Sequence, residues 1–293
     1  MSAHPIRRLA PGLPLAVGTA AVALILGCQA VAPPPPPTAA PAASRTISIE
    51  ASEYAFNAPE SLPAGRVTLE LSNHGQEVHH AQLLRLNDGV TFGDFTAALQ
   101  QEGEGALRLT TLEGGPGAID PHGTSQVTLD LKPGTYALAC FIVGSDGVPH
   151  LAKGMLKPVQ VTQAASVPAG EPAPAVQGTF NMRDFGFDMP DVLAAGTATY
   201  KVTNAGPQPH ELNVLKLAPG KVAQDVLAWE NAPSGPPPFE AIGGINGLSP
   251  NAAGYMTLDL QPGSYVAICH IPDPASGLPH AHLGMLKAFT VRG

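Results

Sequence analysis

The chain has 293 residues, of which 13% are charged, and its net charge is −8 at neutral pH. An acidic chain without a basic cluster is a poor candidate for nucleic-acid binding, so no nucleic-acid partner is expected. Glycine and proline each number 32, and aromatic residues make up only 5%. This composition favours short strands joined by turns over a helical bundle, and the length allows two domains.

The N-terminus has the pattern of an export signal. Arg7 and Arg8 precede the apolar run LPLAVGTAAVALIL, which is too short to cross a bilayer comfortably and is typical of a signal peptide. The run leads into LILGC, which ends at Cys28 and resembles a bacterial lipobox. That resemblance implies cleavage before Cys28 and lipid modification of its thiol. An ordinary secretory signal with an incidental cysteine is the alternative.

These features predict a lipoprotein signal peptide over residues 1–27 and a Pro/Ala-rich tether over residues 28–44. A proline-rich segment of this kind is extended and semi-rigid rather than part of a core. We therefore expect an extracytoplasmic protein, periplasmic or at the cell surface, that a lipid anchor holds at a membrane.

The rest of the chain consists of two similar copies of one module. Three pairs of segments match: SNHGQEVHHAQLLRL (72–86) with TNAGPQPHELNVLKL (203–217), TLDLKPGTYALAC (128–140) with TLDLQPGSYVAIC (257–269), and PHLAKGMLKPVQV (149–161) with PHAHLGMLKAFTV (279–291). The predicted boundaries are residues 45–161 for the first domain, 162–177 for a linker without periodicity, and 178–293 for the second domain.

Local patterns within each copy predict strands. Alternating segments such as QVTLDL and YMTLDL are flanked by Gly or Pro turns, and KPGTY and QPGSY place Pro-Gly at the centre of a tight turn. One short helix per copy is expected, around residues 92–101 and 221–231. The predicted fold class is all-β, with two tandem Greek-key β-sandwiches that each carry a short helical insertion.

Four residue types recur at matched positions of the two copies. They are His79, Cys140, His150 and Met155 in the first copy, and His210, Cys269, His280 and Met285 in the second. Singly, each has a structural explanation, since a cysteine or methionine of this kind is usually a core residue. Together, two imidazoles, a thiolate and a thioether are the ligands of a blue-copper site with a weak axial methionine.

The same segments resemble those of the cupredoxins. NAGPQPHELNV resembles the segment that leads into the first copper histidine, LQPGSYVAIC the strand that delivers the copper cysteine, and PHxxxGM the closing histidine and methionine. The resemblance implies one copper site in each domain, hence up to two copper ions per chain. It also implies that one ring edge of the closing histidine lies near the surface, where an electron leaves to a redox partner protein.

The loop between cysteine and histidine departs from the small cupredoxins. Nine residues separate Cys140 from His150 and ten separate Cys269 from His280, whereas small cupredoxins have far fewer. The copper nitrite reductases have a similarly long loop. Cys140 and Cys269 also occupy equivalent strand ends, and a disulfide between such ends would need a special two-fold packing. We therefore expect free thiols, although two cysteines in an exported protein ordinarily suggest a bridge.

Enzymes built from two such domains resemble this chain in outline but need further histidines for a second copper centre. One of these lies directly before the copper cysteine, where this chain has Ala139 and Ile268. Another, in the nitrite reductases, lies five positions after the first copper histidine, where this chain has Leu84 and Leu215. A copper oxidase or nitrite reductase is accordingly disfavoured, and no catalytic residue is assigned.

The second copy has surplus histidines. His270 follows Cys269 directly, and His282 forms HAH with His280. Both are therefore alternative metal ligands, and the other interpretation is that they are surface loop residues. His80 and His122 have no counterpart in the other copy and are expected to be structural or solvated.

Three functions remain open from the sequence. The leading hypothesis is a lipid-anchored electron-transfer protein with one type 1 copper site per domain. The second is copper storage or delivery, with the surplus histidines as a transfer site. The third is a metal-free structural or interaction module.

Overall fold

The computed structural model describes residues 46–163 and 172–293. The predicted signal peptide, the whole predicted tether with Cys28, and half of the predicted linker lie outside the described residues. The described residues belong to one compact unit. The domain boundaries stay predictions, although the described strands of the first half end at Thr162 and those of the second begin at Gly178.

Each half contributes nine strands to the described part of the chain. Those of the first half are β1 Thr46–Ser52, β2 Ala55–Asn57, β3 Ser61–Pro63, β4 Gly65–Asn73, β5 Gln82–Leu86, β6 Thr110–Leu112, β7 Thr124–Leu131, β8 Gly134–Ala139 and β9 Leu156–Thr162. Those of the second half are β10 Gly178–Arg183, β11 Gly186–Asp188, β12 Val192–Ala194, β13 Gly196–Asn204, β14 His210–Leu217, β15 Phe239–Leu248, β16 Ala253–Leu260, β17 Gly263–Ile268 and β18 Leu286–Arg292.

The strands form three sheets that enclose the core. Two five-stranded sheets have the orders β3-β9-β8-β5-β6 and β12-β18-β17-β14-β15, and one eight-stranded sheet runs β11-β10-β13-β16-β7-β4-β1-β2 across both halves. Burial alternates along strands such as β9, where Val159 and Val161 are buried and Gln160 between them is exposed, as expected for strands with one face on a core. The all-β fold class predicted from the sequence is confirmed.

One helix in each half covers the outer face of a five-stranded sheet, as predicted. Helix α1, Phe92–Glu102, begins at a capping box in which Thr91 and Asp94 bond each other's backbone amides. Its Phe95 is buried in an apolar cluster with residues of β5 and β8. Helix α2, Ala223–Asn231, buries Val226 against β14 and β17 in the same way. No helix in the described ranges is long and apolar enough to cross a membrane.

The two halves join through strand pairing about a pseudo-two-fold axis. In the large sheet β16 pairs antiparallel with β7, and Met256 lies opposite its counterpart Val127. A second set of bridges joins Glu113 to Leu248, Pro116 to Ile245 and Ile119 to Ile242. The repeat maps each partner onto the other, so this is the self-complementary contact of a symmetric dimer built within one chain.

Buried amide side chains complete this interface. Asn213, 3% exposed, accepts a hydrogen bond through Oδ1 from the amide of Ala118 in the first half (2.9 Å). Its counterpart Gln82 donates through Nε2 to the carbonyl oxygens of Gly114 and Gly247 (both 3.0 Å). These bonds satisfy backbone groups that would otherwise be buried without partners.

We expect Asn213→Ala to lower the free energy of unfolding by about 1–3 kcal/mol, because it leaves the buried amide of Ala118 without an acceptor. Urea unfolding of the purified protein measures the change. Asn231→Ala, at an exposed position of α2, is the matched control and should change stability little. Equal effects of the two substitutions would show that the interface bond contributes nothing.

Candidate metal centres

The first half brings two imidazoles and one thiol together in its interior. His79, Cys140 and His150 are each 0% exposed, and their ligand atoms all lie within 4.8 Å of one another. The Nδ1 atoms of His79 and His150 are 3.1 Å apart, and Sγ of Cys140 is 3.6 Å from Nδ1 of His150. Three donor atoms therefore face one common point.

The second half repeats this arrangement with nearly the same distances. His210, Cys269 and His280 are each 0% exposed, with ligand atoms within 4.8 Å of one another. The two Nδ1 atoms are 3.0 Å apart, and Sγ of Cys269 is 3.5 Å from Nδ1 of His280. Among the residues described, these are the two groups of three or more candidate metal-ligating side chains.

The backbone fixes the predicted methionines beside these groups. Met155 and Met285 are 0% exposed. The amide of Cys140 donates to the carbonyl oxygen of Met155 (3.2 Å), and the amide of Met155 donates to the carbonyl oxygen of His150 (3.0 Å). Met285 makes the two equivalent bonds with Cys269 and His280. Each methionine is thus held between two of the converging residues, and its role as a ligand stays a prediction.

The long loops do not keep histidine away from cysteine. The amide of His150 donates to the carbonyl oxygen of Ile142 (2.8 Å), and that of Leu151 to the carbonyl oxygen of Cys140 (2.8 Å). The residues between fold outward as a hairpin in which Val143 bridges Pro149. The second loop is closed in the same way by a bridge between Pro272 and Pro279. The extra residues form these outward hairpins, so each histidine still lies next to its cysteine.

Hydrogen bonds at Nε2 determine which nitrogen of each ring is free. Nε2–H of His280 donates to Oε1 of Gln208 (3.1 Å), whose amide group donates to Asp273 and so fixes its orientation. Nε2–H of His210 donates to Asp184 (2.5 Å). With the protons on Nε2, both Nδ1 atoms carry lone pairs directed at each other. Two lone pairs 3.0 Å apart repel unless a cation lies between them.

The first half holds its rings with different partners. Nε2–H of His150 donates to Oε2 of Glu77 (2.9 Å). The nearest acid to Nε2 of His79 is Glu53, whose Oε1 lies 3.5 Å away. The amide of Ser145 in the hairpin loop donates to Glu77 and, with the other hydrogen bonds, lowers the pKa of that carboxyl to about 2. Glu77 is therefore ionised at neutral pH.

The same turn in both halves positions the first histidine of each group. Nδ2 of Asn73 donates to the carbonyl oxygens of Glu77 and Ile119 (2.8 and 3.0 Å), and Asn204 makes the equivalent pair of bonds. Gly206 lies within this turn, where a Cβ atom would come 2.7 Å from Asp184 and 2.8 Å from Nε2 of His210. Glycine is required there because the backbone passes directly over this hydrogen bond.

Burial prepares the side chains for a metal. It lowers the pKa of His79, His210 and His280, so these imidazoles are neutral and can donate a lone pair at pH 7. Burial raises the pKa of Cys140 to about 12 and raises that of Cys269 as well. Both cysteines are free, as expected from their equivalent positions. A metal that binds them must displace the thiol proton.

Neither closing histidine exposes a ring edge to solvent. His150 and His280 are each 0% exposed, because Glu77 and Gln208 cover Nε2 and an aromatic ring packs on the imidazole. That ring is Tyr54 for His150, with centroids 4.9 Å apart, and Phe185 for His280, at 4.8 Å.

The surplus histidines lie outside the converging groups. His282 is exposed. His270 directs its two ring nitrogens at Glu211 (3.3 Å) and Glu230 (3.0 Å). Although burial alone would lower it, these carboxylates raise the pKa of His270 to about 10, which makes a protonated ion pair rather than a ligand.

The two histidines without a counterpart in the other copy occupy different environments. His80 accepts from the amide of Phe141 (2.6 Å) and donates to Asn246 of the second half (2.8 Å), so it is structural. His122 is exposed.

The donor sets fit copper. Two neutral imidazoles and one thiolate suit Cu(I) and Cu(II), and a buried methionine follows each closing histidine in the chain. Each half can hold one ion, hence up to two per chain. The hydrogen bonds at Nε2 are those that orient histidine ligands in metalloproteins.

No family model and no curated protein sequence matches the chain. Among solved structures, a reduced auracyanin from the photosynthetic bacterium Roseiflexus castenholzii is 21% identical over 41% of this chain and 100% of its own, with a TM-score of 0.29. A multicopper oxidase is 16% identical over 85% of this chain and 89% of its own (TM-score 0.27). A copper nitrite reductase from Nitrosomonas europaea is 12% identical over 85% and 94% (TM-score 0.25). At these values the similarity carries no conclusion about activity.

We expect both buried thiols to react slowly with an aromatic disulfide reagent in the folded protein, since the reactive thiolate is scarce and inaccessible. A Cys28→Ala variant restricts the measurement to Cys140 and Cys269. Addition of denaturant should release both thiols rapidly. Fast reaction of either thiol without denaturant would contradict the buried geometry, and failure to react in denaturant would indicate a bridge.

Proposed function

We propose that the chain is an extracytoplasmic electron-transfer protein with one type 1 copper site in each half. The observation that carries this proposal is the pair of imidazole Nδ1 atoms, 3.0–3.1 Å apart, that face a buried cysteine sulfur in each half. Cysteine and histidine together accommodate both oxidation states of copper, and a rigid buried site changes little when an electron arrives or leaves. Redox partner proteins are the expected interaction partners.

The four positions tested for a second copper centre favour a carrier over an oxidase or nitrite reductase. Leu84 and Ala139 are buried in the apolar cluster beneath α1, and Leu215 and Ile268 in the one beneath α2. All four are at most 3% exposed. The side chains at these positions offer no metal ligand and no room for one.

The burial of all six converging side chains also favours a carrier over a protein that stores or delivers copper. Delivery requires a ligand that an acceptor can reach, whereas these histidines and cysteines are each 0% exposed. The surplus histidines do not form a series of ligands along which copper could leave the site. His282 is exposed and lies outside the converging group, and His270 is engaged by two carboxylates.

Copper binding is expected to be independent in the two halves. Cys140→Ser should remove one copper ion and about half of the visible absorption, and Cys269→Ser should remove the other half, because each substitution deletes a thiolate that only one site uses. Metal analysis and the visible spectrum measure both effects. Loss of all colour from either single variant would mean a shared site, and a colourless copper-loaded parent protein would refute the proposal.

The closing histidine can be tested separately. His280→Ala should abolish the visible band of the second half, while His282→Ala should leave it unchanged, since His280 contacts Cys269 and His282 lies outside the converging group. The spectra are best recorded in the Cys140→Ser protein, which retains only the second site. A band lost in the His282 variant and kept in the His280 variant would reverse the assignment.

We also propose that Cys28 carries the lipid that anchors the protein to a membrane. Its support is the LILGC motif followed by the proline-rich tether. Several acyl chains on one terminus bind a bilayer stably where one does not. Intact-mass measurement of membrane-extracted protein should find a chain that begins at Cys28 with added acyl mass. A different N-terminus, or no added mass, would contradict the anchor.

A further inference from the structure

The two sites differ in the group that accepts a hydrogen bond from the closing histidine. His150 donates to the carboxylate of Glu77 (2.9 Å), while His280 donates to the neutral amide oxygen of Gln208 (3.1 Å). Glu77 and Gln208 occupy matching positions, two residues before the first histidine of each group. A negative charge therefore touches the His150 ring where the matching ring touches a dipole.

Each loop is held by a carboxylate and a serine, together with the residue two positions before the first histidine. In the first half, Glu77 accepts from the amide and the hydroxyl of Ser145 (3.1 and 2.9 Å). In the second half, Asp273 accepts from the amide and the hydroxyl of Ser276 (both 2.8 Å). In the first half this pair joins the loop to the segment before His79, whereas in the second half both partners lie in the loop and Gln208 makes the link by donating to Asp273 (3.1 Å). What differs is whether that carboxylate contacts the histidine or reaches it through Gln208.

The other charges near the rings do not cancel the contrast. Asp184 contacts His210 in the second half, and Glu53 lies 3.5 Å from His79 in the first. Lys153 is 2.7 Å from Asp146, so that pair adds little net charge to the first site. Among the described residues, the acids directly beside the converging ring nitrogens are Glu53 and Glu77 in the first half and Asp184 in the second. Asp273 and Glu211 act on His280 from farther away, and Glu211 is paired with His270.

We propose that Glu77 and Gln208 make the two copper sites unequal, so that the first site favours Cu(II) more strongly and has the lower reduction potential. A carboxylate on Nε2–H makes the imidazole more basic and stabilises the more highly charged ion, whereas an amide oxygen does so less. In a half-reduced protein the electron then resides on the second site. This inference rests on the proposed function, and it concerns the order in which the two sites fill with electrons.

The test measures the reduction potential of each site alone, through its visible band, in the Cys269→Ser and Cys140→Ser proteins. The first site should have the lower value. Glu77→Gln should weaken Cu(II) binding there by about 10–100-fold, which raises the potential by about 59 mV for each tenfold loss if Cu(I) binding is unchanged. Equal potentials, a lower value for the second site, or no response to Glu77→Gln would overturn the proposal.

The reverse exchange guards against a simple loss of structure. The double variant Gln208→Glu with Asp273→Asn keeps the net charge and moves the carboxylate onto His280, so the potential of the second site should fall. Glu104→Gln, at an exposed position of the first half, should change neither site. Thermal unfolding of each variant confirms that it is folded. A second-site potential that stays constant or rises in the folded double variant contradicts the proposal.

Co(II) titration separates this inference from the proposed function. The Co(II) affinity of the Cys269→Ser protein should fall with Glu77→Gln, and that of the Cys140→Ser protein should rise with the double variant, whether or not copper gives a visible band. A colourless copper protein with these Co(II) effects would refute electron transfer through type 1 sites and keep the unequal ligand basicity. Coloured sites whose Co(II) affinities and potentials do not change with these substitutions would refute the unequal ligand basicity and keep the proposed type 1 copper sites.

Discussion

The close approach of two imidazole nitrogens is the constraint that shapes each candidate metal site. In each half the Nδ1 atoms of two buried histidines lie 3.0–3.1 Å apart. In the second half both Nε2–H groups are engaged by Asp184 and Gln208, so neither ring can turn a proton towards the other without losing a buried bond. A cation at the common point relieves the repulsion and pairs with the cysteine thiolate. The folded chain holds the two imidazoles and the thiol in place, and a bound metal ion would supply the positive charge between them.

The interface between the halves extends to both His-Cys-His groups. His79 exchanges backbone hydrogen bonds with Ile119, which bridges Ile242 of the second half. By the pseudo-symmetry, His210 pairs with Leu248, which bridges Glu113 of the first half. Each first histidine is thus one strand away from the other half of the molecule. The contact between the halves therefore connects directly to both candidate metal sites.

The sequence predicted what a repeat can reveal and missed what depends on packing. The match between copies singled out the two His-Cys-His sets, and the short helix expected around residues 92–101 is Phe92–Glu102 in the structure. The match could not show that β7 pairs with β16, because self-similarity carries no information on how copies pack. The resemblance implied a ring edge of the closing histidine near the surface, and it could not show that the hairpin after Cys140 brings Ser145 to anchor Glu77 over His150. The residues missed were the acceptors at Nε2. A signal existed, since Glu53 and Asp184 each precede an aromatic residue at matching positions.

X-ray absorption at the copper edge of the fully loaded protein is the most direct test of the two sites, because it reports the atoms bound to the metal. We expect two copper ions per chain, each with two imidazole nitrogens and one short copper–sulfur bond. A copper environment without sulfur, or one dominated by three or more imidazoles, would contradict it.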